Sequence, residues 1–270
     1  MTNIIALLMK RQHQFPNRIW LILFLLTLGI TSSWQCAQAS TPDNAPPELK
    51  NLLTQVDAAA SQGDVKKVIE FYSPNFTHGD GLNRQTLEKS LTDLWKRYPQ
   101  LRYSTQLQSW KTEGNAIVAE TVTKITGLPS SNSNNLALNA TIKSRQRVTG
   151  AKIVSQEILS ERTLLTSGSK PPQVDIKLPE QVKVGQPYSF DAIVQEPLGD
   201  DFLLGTALEE PIQADKYLSP TSVDLELLTS GGLFKVGRAP STPGNQWVSA
   251  VILRGNGMTM VTQRLQVVNK

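Results

Sequence analysis

Cysteine is almost absent from this chain of 270 residues, which contains Cys36 and no other. A single cysteine excludes a disulfide within the chain and a zinc site built from several thiolates. Histidine is also scarce, with His13 and His78 alone. We therefore expect no metal site and no cofactor, and the fold must be stabilised by its apolar core.

The sequence also lacks the short motifs that identify common chemistries. It contains no Walker A loop, no zinc-type His-Glu spacing, no nucleophile elbow and no dinucleotide fingerprint. We therefore assign no catalytic residue from the sequence.

The N-terminal region has the three parts of an export signal. Lys10, Arg11 and Arg18 precede the uncharged apolar run 19–30, and Ala37-Gln38-Ala39 is a small-x-small cleavage pattern. The apolar run has 12 residues, whereas a membrane span needs about 20. We predict that residues 1–39 are a signal peptide and that the protein is exported, periplasmic or extracellular. The alternative is an uncleaved N-terminal anchor.

The chain also lacks a large excess of positive or negative charge once this segment is set aside. Residues 1–39 hold three Lys or Arg and no Asp or Glu, so their removal lowers the formal net charge from +4 to +1. A nearly neutral protein lacks the basic surface that nucleic-acid binding requires, and we expect no nucleic-acid partner.

The region 71–103 carries the clearest structural pattern of the chain. Its apolar residues recur at helical spacing and form one stripe: Leu87, Leu91, Leu94, Trp95 and Tyr98. Asn83 is a good N-cap, and Pro99 ends the helix. Residues 40–45 before this region are predicted to be a flexible lead-in, and two short amphipathic helices precede residue 72.

After Pro99 the apolar period changes from 3.6 to 2, which indicates strands. Four long strands are predicted up to Leu165, separated by turn signals such as Gly150. Helices followed by strands predict an α+β domain over residues 46–166, with helices on one face of a curved antiparallel sheet.

This order of elements resembles the nuclear transport factor 2-like superfamily, the cone fold shared with ketosteroid isomerases and polyketide cyclases. The resemblance covers about residues 46–165 and depends on the strand, turn and third helix of region 71–103. It implies a pocket between the helices and the curved sheet. In enzymes of the superfamily this pocket holds a small apolar substrate, and in other members it is a binding or dimerisation surface.

The second half of the chain is predicted to be all-β. Residues 167–172 (SGSKPP) are typical of a linker, and seven short strands follow within residues 173–270. Asn256-Gly257 is the strongest hairpin signal of the chain. We predict two independently folding domains, the second an immunoglobulin-like β-sandwich.

Four side chains are the predicted ligand-binding residues: His78, Asp80, Tyr103 and Trp110. His78 and Asp80 form the sequence His-Gly-Asp-Gly, which is interpreted either as an acid–base pair at the mouth of the pocket or as a turn with a partly solvated histidine. The spacing of Asp80, Tyr103 and Glu120 does not match the ketosteroid isomerase pattern, so no catalytic role is carried over.

Other polar and aromatic residues have two interpretations each. Lys143, Arg145 and Arg147 lie on one face of a strand and form either an anionic-ligand or membrane-proximal surface, or a solvated outer face. Trp95 lies in the helical stripe and is expected in the core.

Three functions are compatible with the sequence. The first is an exported, non-enzymatic binding or protein-interaction protein, whose partner is a small apolar ligand, another protein or a second copy of the chain. The second is an isomerase, lyase or hydrolase that uses His78 or Asp80 in the cone pocket. The third is an envelope structural protein that binds a partner by a sheet edge. We prefer the first, because no catalytic constellation is present.

Overall fold

The computed structural model describes residues 40–129, 136–197, 199, 201–219, 221–255 and 257–269. The predicted signal peptide, residues 1–39, lies outside the described residues. Residues 39–270 form one compact unit. No helix among the described residues is both long enough and apolar enough to cross a membrane.

The first half begins with helices and one short strand. Their bounds are α1 (Pro47–Ser61), α2 (Val65–Glu70), β1 (Tyr72–His78) and α3 (Arg84–Arg97). Helix α3 starts with a capping box, in which the Asn83 side chain accepts from the Thr86 amide at 2.9 Å and the Thr86 hydroxyl accepts from the Asn83 amide at 2.8 Å. The predicted cap at Asn83 is therefore confirmed.

Four long antiparallel strands follow: β2 (Leu101–Glu113), β3 (Ala116–Gly127), β4 (Ala137–Thr149) and β5 (Lys152–Gly168). They pair in sequence order, and β1 lies parallel to β5. The apolar stripe of α3 packs on the core between helices and sheet, where Trp95 is 7% exposed. This half has the predicted arrangement of helices on an antiparallel sheet.

The second half contributes further strands. They are β6 (Val174–Lys177), β7 (Gln181–Lys183), β8 (Pro187–Val194), β9 (Leu203–Pro211), β10 (Glu226–Leu227), β11 (Gly232–Arg238), β12 (Gly244–Arg254) and β13 (Gly257–Val268). Strands β12 and β13 form a hairpin that closes with Arg254 opposite Gly257, so the hairpin predicted at this position is confirmed. Strand β7 was not predicted.

The two halves share one sheet. Strand β13 pairs with β5 from Gly257 opposite Gly168 to Gln263 opposite Arg162, and the order β10-β9-β12-β13-β5-β4-β3-β2 runs through both halves. Within the described residues this sheet has ten strands, including β1 and β7 at its side. Ser167 and Gly168, with which the predicted linker begins, are therefore strand residues.

A second apolar core lies beyond the shared sheet. The sheet β11-β8-β6 contributes Phe190 and Ala192 to it, and the strands of the large sheet contribute Ile252 and Leu265. The second half is thus two-layered, but one layer is a continuation of the first half. A separate immunoglobulin-like sandwich is not confirmed.

The lead-in, residues 40–45, is predicted to be flexible, but the structure attaches it to the sheet. Ser40 pairs with Trp110 of β2, and a short 3-10 turn at Pro42–Asn44 leads to Ala45, which is buried. These contacts attach the lead-in to the sheet, because the backbone amide of Ser40 donates to the Trp110 carbonyl at 2.8 Å.

Candidate functional site

A cavity of about 440 Å³ lies between the helices and the curved sheet. Most of its wall is apolar, with leucines of α1 and α3 facing isoleucines of β3, β4 and β5. The second half also lines it, through Lys216, Tyr217 and Trp247. This volume is within the range of small-molecule sites, which is roughly 300–1,000 Å³.

Tyr103 is one of the predicted ligand residues, and it lines this cavity. Its hydroxyl accepts a hydrogen bond from Trp95 Nε1 at 3.0 Å. Burial raises the pKa of Tyr103 well above its ordinary value, so the phenol stays neutral. A neutral phenol that already accepts from Trp95 has its own O–H proton to donate.

His78 also lines the cavity, at the end of β1. The predicted turn is confirmed, since the Gly81 amide donates to the His78 carbonyl at 2.9 Å and Gly81 has a φ of 84°. The interpretation of His78 as partly solvated is wrong, because its side chain is 5% exposed. The ring packs at the edge of Tyr217, which comes from the second half of the chain.

The protonation of His78 follows from its contacts. Its Nδ1 accepts a hydrogen bond from the Asp80 backbone amide at 3.1 Å. Burial lowers the pKa of His78, the charge of Asp80 opposes that shift and the charge of Arg264 adds to it. The neutral ring therefore carries its proton on Nε2 and is a hydrogen-bond donor.

Asp80 lies behind the cavity wall in a buried ion pair. Its two carboxylate oxygens accept from Nη1 and Nη2 of Arg264 at 2.9 and 2.7 Å, and the Tyr217 hydroxyl donates to Oδ2 at 2.7 Å. The side chains of Arg264 and Asp80 are 0% and 2% exposed. Burial raises the pKa of Asp80, but the hydrogen bonds and charge of Arg264 and the bond from Tyr217 outweigh burial and hold the pKa below its ordinary value.

Glu161 of β5 joins this pair to the cavity wall. Its Oε2 accepts from Arg264 Nη2 at 3.2 Å and from Trp247 Nε1 at 3.0 Å. Asp80, Glu161, Tyr217, Trp247 and Arg264 together are called the Asp80–Arg264 cluster below. The cluster connects the turn after β1 with strands β5, β12 and β13.

The alternation of strand β13 explains why Arg264 is buried. Successive residues of a strand point to opposite faces, and here both faces are covered. Leu265 contributes to the second core and is fully buried, while Arg264 points to the first half. A charged residue on such a strand needs a partner, and Asp80 provides it.

Trp110 does not line the cavity. Its indole Nε1 donates to the Thr41 carbonyl at 3.1 Å, so this side chain holds the lead-in against β2. Of the predicted ligand residues, His78 and Tyr103 share the cavity, Asp80 supports it from behind and Trp110 lies elsewhere.

The three cations of β4 are paired with carboxylates on the same sheet face. Arg145 contacts Glu120 at 2.8 Å and Glu157 at 3.1 Å, Lys143 lies 3.7 Å from Glu120, and Arg147 contacts Glu113 at 2.7 Å. Cross-strand pairing places Arg145 between its two partners. The face is therefore close to neutral at these positions.

The part of the chain that the structure describes offers no set of side chains suited to bind a metal ion. No three His, Cys, Asp or Glu side chains lie together there in a way that suits a metal ion.

The sequence did not identify Arg264, Glu161 or Tyr217 as site residues. Arg264 had a signal, since it is the one charged residue of Met258–Val268, otherwise an apolar and neutral strand. Tyr217 lies in a segment between strands and had no signal. The contact of Arg264 with Asp80 spans 184 residues, which no local pattern encodes.

Comparison with known proteins gives one family match. A family described as a domain of unknown function (DUF8623) matches residues 169–268. The match begins inside the predicted linker and covers the second half. The comparison with curated proteins finds no match.

Several solved structures resemble part of the chain. Bd1075 of Bdellovibrio bacteriovorus is 15% identical over 41% of this chain and 38% of its own length, with a TM-score of 0.33. A protein of unknown function with a cystatin-like fold from Nostoc punctiforme is 10% identical over 41% of this chain and 86% of its own, with a TM-score of 0.33. A putative polyketide cyclase from Bacillus cereus is 15% identical over 42% and 73%, with a TM-score of 0.32.

The last two are cone-fold proteins, the group that the first half of the sequence resembles. This chain spans well under half of Bd1075. At these identities and TM-scores, the activities of these proteins are not transferred to the chain.

Proposed function

We propose that this protein is an exported, non-enzymatic binding protein that holds a small apolar ligand in the cavity between its helices and its shared sheet. The cavity itself is the observation that carries the proposal. It is about 440 Å³ in volume, its wall is mostly apolar, and Tyr217 and Trp247 of the second half complete that wall. Burial of apolar ligand surface against such a wall is the main source of affinity.

The polar groups at the cavity favour binding over catalysis. A general base needs a free lone pair within reach of the substrate. Asp80 does not line the cavity and accepts three hydrogen bonds from Arg264 and Tyr217, and the Nδ1 of His78 accepts from a backbone amide. Both groups that the sequence offered as acid–base residues are thus unsuited to accept a proton.

The alternative, an isomerase, lyase or hydrolase in the same cavity, requires a different base. Asp57 and Glu161 are carboxylates that line the cavity. Asp57 accepts from the Thr105 amide and hydroxyl at 2.6 Å each, and Glu161 accepts from Arg264 and Trp247. Their hydrogen bonds hold both carboxylates in supporting roles, which favours the binding function.

Nile red, a neutral apolar dye, tests the proposal on residues 40–270. We expect saturable binding with a rise in fluorescence. Leu91→Trp should weaken it, because Leu91 lines the cavity and the larger side chain takes up part of its volume. Leu128→Trp is the matched control, since Leu128 is 72% exposed. Absence of saturable binding, or equal binding by Leu91→Trp, contradicts the proposal.

Export is a separate part of the proposal, and residues 1–39 support it through their sequence alone. N-terminal sequencing of material from outside the cytoplasm is expected to begin at Ser40. A chain that still starts at Met1 in the cytoplasm contradicts export without affecting ligand binding.

A further inference from the structure

A row of polar side chains crosses three neighbouring strands at the cavity wall. His78 of β1 is opposite Gln156 of β5, and Gln156 is opposite Gln146 of β4. All three side chains line the cavity. Neighbouring strands lie about 4.8 Å apart, so these positions form a continuous polar row in a largely apolar wall. His78, Gln156 and Gln146 are called the polar row below.

The two glutamines of the polar row lack protein partners. Among the described residues, neither amide side chain makes a hydrogen bond, and Gln146 Oε1 is a fully buried acceptor without a partner. Gln146 is only 7% exposed. Buried polar groups are almost always paired, so the unpaired Gln146 oxygen beside a cavity indicates a partner that enters the cavity, and the half-buried amide of Gln156 lies next to it.

The polar row offers both kinds of hydrogen-bonding group. Each glutamine amide has an oxygen that accepts and a nitrogen that donates, and its rotation presents either one. The neutral ring of His78 adds a donor at Nε2, because its Nδ1 is occupied. A ligand group that donates and accepts at once satisfies this set best.

The charges at the wall argue against a charged ligand. Lys216, the lysine of the wall, is 3.1 Å from Glu210 and is thereby paired. Asp57 and Glu161 are engaged by their own donors. A carboxylate ligand brought into this cavity would have no free cation to pair with, and burial of an unpaired charge is strongly unfavourable.

We infer that the polar row makes the cavity selective for neutral apolar ligands that end in one group able to donate and accept, such as an alcohol, over carboxylates of the same length. This inference rests on the proposed binding function. It adds the chemical class of the ligand and assigns Gln146 and Gln156 as the residues that recognise it.

Competition against Nile red on residues 40–270 tests the selectivity. Decanol, decanoate and decylamine are compared near neutral pH, since they share one chain length and differ in the end group. We expect decanol to displace the dye at a concentration at least about tenfold below the other two, the factor that one net hydrogen bond contributes. Equal or better displacement by decanoate or decylamine overturns the inference.

Gln146→Leu combined with Gln156→Leu tests the assignment of the residues. Leucine keeps the size of the site and removes the amides, so decanol affinity should fall about tenfold while Nile red affinity is retained. Gln106→Leu combined with Gln108→Leu is the control, because both residues are exposed on β2. Unchanged decanol affinity in the first variant overturns the assignment.

The outcomes distinguish failure of the proposed binding function from failure of the inference about the polar row. If Nile red does not bind the unsubstituted protein, the proposed function fails. If the dye binds but the three competitors do not differ, only the inference about the polar row fails. The competitor comparison needs no substitution, so it decides the selectivity even if the double variant does not fold.

Discussion

At the scale of single residues, the Asp80–Arg264 pair joins the two halves of the chain. It is buried, bidentate and made by residues 184 positions apart. Removal of one partner leaves the other as a buried, uncompensated charge, whereas removal of both leaves only Glu161, which is 15% exposed and keeps its hydrogen bond from Trp247. The pair therefore adds to the shared sheet in joining the two halves of the chain, and the loss of either partner alone should be strongly destabilising.

We predict that Arg264→Met lowers the free energy of unfolding by about 3–5 kcal/mol. The double variant Asp80→Asn with Arg264→Met should lose markedly less, because residue 80 then carries no charge and Glu161 keeps its hydrogen bond from Trp247. Arg145→Met is the control, since Arg145 is 46% exposed and its pairing should contribute about 1 kcal/mol or less. Urea melts measure all three, and equal losses for Arg264→Met and Arg145→Met would contradict the buried pair.

His78 makes stability depend on pH. Its pKa is lowered by burial, so between the folded pKa and the unfolded value near 6.5 the unfolded chain binds more protons. The stabilisation is complete above about pH 6.5 and is lost as the pH falls toward the folded pKa. Asp80 and Arg264 face the ring and set its surroundings.

We therefore expect the midpoint temperature of thermal unfolding to decrease as the pH is lowered from about 7.5 to about 5.5. Asp80 titrates below this range, because its pKa is held below its ordinary value. His78→Asn should remove most of this dependence, since asparagine does not titrate and offers an oxygen to the Asp80 amide. His78 is the single histidine after residue 39. The same pH slope in both proteins would show that other groups cause it.

At the scale of elements, local patterns predicted most of the first half. The stripe on α3, its cap at Asn83 and the change of period after Pro99 are properties of adjacent residues, and each led to the observed element. The pairing of β13 with β5 depends on residues about 90 positions apart and has no local signal. For the same reason the sequence placed His78 and Tyr103 in one cavity but missed Tyr217.

The packing of α3 gives the test at this scale. Trp95 is 7% exposed and donates to Tyr103, so Trp95→Ala should lower the free energy of unfolding by about 3–5 kcal/mol through lost burial and a residual cavity. Leu128→Ala is the control at an exposed position. Denaturant melts of residues 40–270 measure both, and a neutral Trp95→Ala would mean that α3 does not face the sheet.

At the scale of the whole molecule, one shared sheet joins the two halves that the sequence predicts to be separate domains. The sequence alone predicts two halves that fold independently. In the structure β5 continues through the start of the linker and pairs with β13, and the Asp80–Arg264 cluster joins both halves. The second half also completes the wall of the cavity, through Tyr217 and Trp247.

We accordingly expect residues 40–270 to unfold in one cooperative transition, with a calorimetric enthalpy about equal to the van't Hoff enthalpy. Residues 40–170 alone should be much less stable, since Asp80 loses Arg264 and strand β5 loses its partner β13. Two separate calorimetric transitions, or a fragment as stable as the whole, would support the prediction from the linker instead.

The central claim is that one cavity, completed by both halves, holds a neutral apolar ligand. A crystal structure of residues 40–270 with ω-bromodecanol tests it most directly, because bromine is located by its anomalous scattering. We predict a bromine peak among the leucines of α1 and α3 and the isoleucines of the sheet, with the hydroxyl within hydrogen-bond distance of Gln146 or Gln156. A bromine peak outside the cavity, or a cavity that excludes the alcohol at saturating concentration, would contradict it.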